Sequence, residues 1–202
     1  MPPTTPYRIE MPRLVLRCWE PADAAALTAL VDRNLEPLRG EGAWAEPLAP
    51  DARLRQVRLW RAEFDLDRTW RYAVIRADGG EIAGGITLFH RLGTEGMEIA
   101  AWSVGEDDGE MAEDAAAAAI RTALEAMEAP RVFTGCQPDD EGRIALWRGL
   151  GFTHDGTLRR LAGGRRVEEM LWSLLPGEWP GSRAAALAAD ARAFDALENR
   201  LF

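Results

Sequence analysis

A chain of 202 residues with 47% hydrophobic and 28% charged residues is long enough for one sizeable globular core, and 33 acidic against 24 basic residues leave a formal net charge of −9. That acidity opposes broad binding to a phosphate backbone, so nucleic acid is not expected as a partner. All 24 basic residues are arginine, which excludes lysine Schiff-base chemistry and a GKS or GKT phosphate loop, and the longest apolar run, AAAAAI at 115–120, falls far short of the ~20 residues of a membrane helix.

The opening MPPTTPYRIEMPR has neither the apolar stretch nor the small-residue cleavage site of a secretory signal. Residues 1–12 are therefore predicted to be a flexible leader, with the cytoplasm as the default location. RLVLRCW at 13–19 alternates apolar and charged side chains in period two, the pattern of a strand with one buried face. A helix follows Pro21, carrying Ala24, Leu27, Leu30 and Val31 at helical spacing. The stretch 35–50 is broken by Gly and Pro and is predicted to be an exposed or substrate-facing loop, with Asp51 as N-cap of a helix over 52–68.

Three antiparallel strands are predicted at 70–77, 81–91 and 97–104, separated by DGG and LGTEG turns. An alanine-rich helix over 109–128 ends before Pro130, a strand resumes at 131–137, and 139–149 forms a short helix. GFTHDGTLRRL and RVEEMLWSLL then close the body as a hairpin. From Gly181 onward Ala, Leu and Phe recur between Asp190, Arg192, Asp195 and Glu198, predicting an amphipathic helix that packs on the body or on a second copy in a homodimer. The order implies an α+β domain over 13–176, with a helical extension over 177–202.

Four segments carry a resemblance to a known family: RLVLRCWEPADAAAL, NLEPLRGEGAW, EIAAWSV leading into the helix ending at 128, and DDEGRIALWRGLGF. They resemble the GNAT N-acetyltransferases, and within them the RimJ/RimL branch that acetylates ribosomal-protein N-termini, over about residues 13 to 175. Asn34, Leu38 and Trp44 match the spacing of an Asn, a Leu and a Trp in a loop of that branch, and the closing Gly151 and Phe152 match the end of its last helix. The resemblance implies a GNAT fold: a mixed, mostly antiparallel sheet of about seven strands, splayed between 97–104 and 131–137, with flanking helices. It also implies acetyl-CoA as co-substrate, its pantetheine in the gap and its pyrophosphate on backbone amides at the start of the next helix, where the dipole and unpaired N–H groups make an anion site.

On that resemblance Trp102, Ser103, Val104, Gly109, Glu110, Met111, Ala112, Asp140, Arg143 and Trp147 are the cofactor-binding candidates, and Asn34, Trp44 and His90 the substrate-binding ones. The family's pyrophosphate motif, Q/RxxGxG/A, is matched by DDGEMA at 107–112, with Asp107 for the basic or amide residue and Glu110 for a glycine. Glu106, Asp107, Asp108, Glu110, Glu113 and Asp114 crowd carboxylates there, and at ~6 Å and an effective dielectric of ~20 each would repel a phosphate by roughly 3 kcal/mol before screening. The plainer reading is that these acids cap a helix, Asp107 and Glu110 having capping-box spacing. The family's hydroxyl acid on the last helix is matched by Trp147 or Arg143, neither of which is a hydroxyl, and its helix-opening Asn by Asp140.

Glu98, matching a glutamate on this strand in the family, is the candidate base for the acceptor ammonium; an outward-facing solvated strand residue is the plain alternative. His154 carries less weight; Cys136 has no His or basic neighbour in sequence to activate it, and Cys136 and Cys18, 118 positions apart without CxxC spacing, fit buried thiols. No HExxH or cysteine cluster is present, so no metal is expected. The eight tryptophans suit a core and, near a cleft, a peptide terminus or small aromatic amine. Two functions stand: acetyl transfer from acetyl-CoA to a small-molecule or peptide amine by direct attack, or a catalytically silent binding, sensor or scaffold protein of the same fold. The acids at the cleft mouth also allow a cationic ligand such as a polyamine.

Overall fold

Alternating burial builds the sheet one strand at a time. In β2 (Leu14–Cys18) Leu14, Leu16 and Cys18 are buried while Val15 and Arg17 are half-buried, so one face meets a core. The other strands are β1 (Arg8–Glu10), β3 (Thr69–Arg76), β4 (Ile82–Phe89), β5 (Met97–Ser103), β6 (Val132–Cys136), β7 (Thr153–Ala162), β8 (Arg165–Leu174) and β9 (Arg192–Phe194). The computed structural model describes residues 4–36, 38–39, 43–91, 95–104, 108–162 and 164–202. Among these, the nine strands form one sheet in the order β7-β8-β6-β5-β4-β3-β2-β1-β9. Every neighbouring pair is antiparallel except β5 and β6, which are parallel.

Helices cover both faces. α1 (Ala24–Arg33) and α2 (Pro50–Asp65) enclose a core of Leu27, Val31, Val57, Trp60 and Ala73. The larger core lies on the other face, where α3 (Asp108–Arg121) crosses the sheet on Ala115–Ala119 and Ile120, all at most 1% exposed. Unbranched alanines let this helix approach the sheet closely and surrender no rotamer entropy on burial. α3 runs on into a π-turn at Thr122–Ala126, completing the helix predicted over 109–128. α4 (Glu141–Leu150) starts on Asp140, whose side chain accepts the Arg143 N–H at 3.0 Å, and ends at Gly151. No described helix is long and apolar enough to cross a membrane.

The sheet has nine strands where about seven are expected, and both additions lie at the chain ends. β1 falls inside the predicted leader; it pairs Ile9 with Leu16 on one side and with Ala193 on the other, burying Ile9 completely. Three residues are too few for period-two alternation to register in a sequence. The amphipathic helix predicted from Gly181 onward is instead α5 (Arg183–Leu187), a turn, and β9. Arg121 accounts for the break: its Nη1 donates to the carbonyls of Ala188, Ala189 and Ala191 at 2.8, 3.2 and 3.3 Å, and its guanidinium lies 4.2 Å from the Phe202 ring. Carbonyls that a continuing helix would use internally are held by a long-range cation, and β1 takes the chain into the sheet.

The feature that positions the site is the short junction of β5 and β6. Their ladder consists of Met97 with Val132 and Glu98 with Phe133, although β5 continues to Ser103 and β6 to Cys136. At its closed end Gly96 lies at φ +113° with Arg131 O only 2.5 Å from where a Cβ would sit, and Met97 N–H donates to that carbonyl at 2.8 Å. Only glycine permits that approach. Beyond Glu98 the ladder ends, giving the expected splayed pair.

Candidate active site

Strand alternation decides what the opened edge presents. Val104 N–H donates to Ala83 O at 2.9 Å, so with the register Gly85 to Trp102 the amides of Trp102 and Val104 face β4. Those of Ala101 and Ser103 face the side that β6 has left. On the main-core face of this edge lies a cavity of about 420 Å³ between the end of β5, the start of α3 and α4. Ala101, Trp102, Ser103, Gly109, Ala112, Asp140 and Arg143 all border it, as do Leu38 and Glu113.

Of the cofactor candidates, Trp102, Ser103, Gly109, Ala112, Asp140 and Arg143 thus meet at one cavity, and four do not. Val104 packs with the α1–α2 core and its N–H is engaged by β4. Met111 is buried at 6% exposure in the main core, and Trp147, 2% exposed, packs its ring 5.3 Å from Phe152 with an indole N–H that has no partner among the described residues. Glu110 turns outward, 74% exposed, to pair with Arg13. Asp140 is engaged as the α4 cap and lies 3.4 Å from Arg143 Nε, so its carboxylate and that guanidinium offset each other at the rim.

The charge at the start of α3 differs from what the local sequence implies. Arg13, from the turn between β1 and β2, reaches over to α3: its Nε donates to Asp114 Oδ2 at 2.9 Å, its Nη2 lies 2.8 Å from the same oxygen, and its Nη1 pairs with Glu110. Glu113 pairs with Arg183 of α5. Glu110 and Asp114 in turn raise the pKa of the Arg13 guanidinium, keeping it charged. Three of the six carboxylates are therefore paired with arginines distant in sequence, two positive charges against three negative; Glu106 and Asp107 lie outside the described residues, as does the side chain of Asp108. Gly109 has nothing within 4 Å of a would-be Cβ, so the first turn of α3 is open toward the cavity.

A second, smaller cavity of about 80 Å³ lies where Ala101 and Trp102 meet the tryptophans of the α1–α2 side. Those two residues border both cavities, which lie on either side of the end of β5. The ring of Trp102 lies 4.5 Å from Trp44 and 6.5 Å from Trp19, nearly parallel to the latter at 14°, and Trp60 closes the group 5.5 Å from Trp19 and 6.4 Å from Trp44. Trp102 folds over Gly85, where a Cβ would meet its Nε1 at 2.6 Å.

Trp44 is thus at this cavity; the other two substrate-side candidates are not. Asn34 ends α1 and donates from Nδ2 to Leu30 O at 2.8 Å. His90 contacts Gly96 O at 3.3 Å through Nδ1 and sits edge-on to Trp70 at 5.6 Å, bordering neither cavity. By alternation Glu98 shares the face of Ala100 and Trp102; its carboxylate, 15% exposed, is 3.5 Å from Arg91. Burial raises the thiol pKa of both cysteines, that of Cys18 to about 11, and both sit in the main core. Among the described residues no group of three or more His, Cys, Asp or Glu is placed to hold a metal.

Sequence reasoning singled out neither Trp19 nor Arg71 at the smaller cavity, and missed Arg13 and Arg183 at the helix start. The tryptophans sit at positions that also suit a core, and nothing in the local pattern of an arginine announces a partner 70 or 101 residues away.

Residues 13–153 match the model of the acetyltransferase (GNAT) domain. Solved structures share the fold: RimJ of Mycobacterium smegmatis in complex with CoA-disulfide is 22% identical with a TM-score of 0.73, covering 93% of this chain and 94% of that one. A GCN5-related N-acetyltransferase from Brucella melitensis is 20% identical with a TM-score of 0.73, covering 98% and 92%. A GNAT-family acetyltransferase from Bacillus anthracis is 18% identical with a TM-score of 0.70, covering 85% and 99%. No curated protein sequence matches the chain.

Proposed function

The chain belongs to the GNAT acetyltransferase family, and on that premise we propose that it transfers acetyl from acetyl-CoA to a primary amine by direct attack. The observation that carries the proposal is the two-pair junction of β5 and β6 opening onto the cavity of about 420 Å³, with a second cavity across β5 for the acceptor. The residues present fit a pantetheine arm and its anionic tail: main-chain groups of Ala101 and Ser103 face the gap, the first turn of α3 is open at Gly109, and Arg13 and Arg183 offset the nearby acids. RimJ of M. smegmatis, of like fold, was solved with CoA-disulfide, which supports the same ligand here.

Bound acetyl-CoA supplies an activated acetyl thioester. The β5 edge orients it by strand-like hydrogen bonds, and the start of α3 stabilises its negative charge. An acceptor on the Trp102 side meets the thioester carbonyl at the gap; the N–C bond forms, the C–S bond breaks, and the thiolate leaves. Glu98 stands two residues from Ala100, about 7 Å along the strand, so it receives the ammonium proton through water. Arg143 offers the thiolate electrostatic stabilisation in place of a hydroxyl acid. Ser103, Gly109, Ala112, Asp140 and Arg143 are the residues assigned to the co-substrate.

The competing reading is a silent binding, sensor or scaffold protein, whose motivation was uncompensated acid at the helix start. The arginine pairs argue against it for Glu110, Glu113 and Asp114. Thermal unfolding with acetyl-CoA separates the two, because ligand at 100 times its dissociation constant adds ~2.7 kcal/mol. A stabilisation of that order with turnover of an amine supports the enzyme. Binding without turnover of any amine favours the silent protein, and no stabilisation at millimolar acetyl-CoA excludes the enzyme and favours a silent protein whose acetyl-CoA loop has degenerated.

A further inference from the structure

The gap has a β6 wall as well as a β5 wall. Parallel pairing sets Glu98 level with Phe133, so two residues on, past the last ladder pair, Ala100 is level with Gly135. Period two puts Phe133 and Gly135 on the face of Glu98, Ala100 and Trp102, whereas Val132 and Cys136 enter the main core. On the far side of β6, Leu171 of β8 stands opposite Gly135, which brings Leu171 and Glu169 to that same face. Glu169 then uses the room that the glycine leaves. A Cβ on Gly135 would lie 2.6, 3.0 and 3.1 Å from Oε1, Cδ and Cγ of Glu169, so a carboxylate from β8 is laid across β6. Glycine inside a strand forfeits packing and marks a close approach. The result is an acid level with Ala100, which borders the smaller cavity, while Glu98 stands ~7 Å back along β5. One cation already meets both acids. Arg91, just past the end of β4, lies 3.5 Å from Glu98 through Nη1 and 3.9 Å from Glu169 through Nη2, and each carboxylate side chain is only 15% exposed.

Resting on the acetyltransferase reading above, we propose that Glu169 is a catalytic residue on the β6 side of the gap: its carboxylate receives the acceptor's ammonium, while Glu98 takes the proton through water. An ammonium carries three donors, and a carboxylate accepts them in charge-assisted hydrogen bonds roughly twice as strong as neutral ones. Held over Gly135, the nitrogen is level with Ala100 and beside Ala101, whose amide faces the gap where the acetyl thioester is placed. Two acids divide the work, because a carboxylate that grips the ammonium also favours its charged form and a second group must remove the proton. The ammonium gives one proton through water to Glu98, the freed electron pair forms the N–C bond, and the C–S bond breaks. A second proton leaves the nitrogen for the departing sulfur, giving the amide and the CoA thiol. The plainer alternative makes Glu169 a structural partner of Arg91, and it predicts that losing either member of the pair has the same result. Holding the acceptor predicts opposite results, because Arg91 and the ammonium compete for one carboxylate.

The test is thiol release from acetyl-CoA by the full chain with propylamine, spermidine and short peptides beginning with Ala or Ser, continued with whichever of these is turned over fastest. Acetyl-CoA binding is followed in parallel by thermal shift. Glu169→Gln is expected to raise the KM for the amine at least tenfold, with a smaller change in kcat and the acetyl-CoA shift retained. Glu98→Gln is expected to show the reverse split, lowering kcat at least tenfold with a smaller change in KM. Arg91→Gln is expected to lower the amine KM at least threefold, and Gly135→Ala, whose methyl takes the place of the Glu169 carboxylate, to raise it. An amine KM that Glu169→Gln leaves unchanged, or that Glu169→Gln and Arg91→Gln move in the same direction, overturns the role of Glu169 and leaves the enzyme reading intact. No turnover of any of these amines by the native chain, or no acetyl-CoA shift, overturns the enzyme reading and the role of Glu169 with it. If Glu169→Gln unfolds, the other two variants decide: a KM raised by Gly135→Ala and lowered by Arg91→Gln supports the role, and any other pair of results overturns it.

Discussion

Replacing Arg13 by Gln exposes two carboxylates to the co-substrate site. Arg13 is half exposed, but the Asp114 carboxylate it holds at 2.9 and 2.8 Å is only 9% exposed. Removing one partner of a buried pair costs about 3–5 kcal/mol, and the solvent exposure of Arg13 reduces this to roughly 1–2 kcal/mol of stability. The effect on binding is separate. With a rise of ~1.5 Å per residue, an anion just beyond the start of α3 stands ~8 Å from Glu110 and ~13 Å from Asp114. What the variant removes is one positive charge between those acids, ~10 Å from the anion; at an effective dielectric of ~20 and a screening length of ~8 Å its loss is about 0.5 kcal/mol, roughly a twofold weaker acetyl-CoA affinity. Calorimetric titration at low and high salt reads this directly: the variant loses about twofold at physiological salt and more in dilute buffer. Adding Glu110→Gln and Asp114→Asn to the Arg13 variant restores the affinity. An Arg13 variant that binds as tightly as the native chain, or whose weakened binding the two neutralising changes leave untouched, refutes the compensation argument.

Arg121→Ala removes three carbonyl contacts and a ring contact from an 18% exposed side chain; a loss of roughly 2–4 kcal/mol in urea unfolding is expected, with faster amide exchange confined to β9 and β1. Gly96→Ala forces a Cβ to 2.5 Å from Arg131 O at φ +113°, and a destabilisation of about 2–4 kcal/mol is expected; a neutral substitution would mean the β5–β6 junction is not tight at this point. Burial holds the Cys18 thiol at about 11 against 9.0 when exposed, so the stability it contributes is full below pH 9 and is lost as pH rises toward 11. Cys18→Ala flattens that part of the stability curve; an unchanged slope places the cause elsewhere.

Legibility followed the range of the interaction. The strand at 13–19, the alanine-rich helix and the closing hairpin were readable because burial repeats along a single element, at period 2 or 3.6. β9 was not: Ala184, Ala188 and Ala191 are buried at helix spacing, and what takes the chain out of a helix, with Ala193 buried two residues on in strand fashion, is Arg121 and β1, far away in the chain. The cleft residues on β5, α3 and α4 were found through family resemblance, since period two puts the amides of Ser103 and Val104 on opposite sides of the strand but only the bond of Val104 to Ala83 says which of them faces the gap. The acid run at 106–114 was visible and its electrostatic concern sound in isolation, but Arg13 and Arg183 reach it only through the fold.

Amide-resolved hydrogen exchange with and without acetyl-CoA probes the opened edge of β5 without assuming turnover. The account predicts slowed exchange at Ala101 and in the first turn of α3 at Gly109 and Glu110, with Trp102, whose amide faces β4, unchanged. Protection that leaves Ala101 and the start of α3 untouched, or that appears only on the far face of the sheet, would contradict a co-substrate seated between β5 and β6.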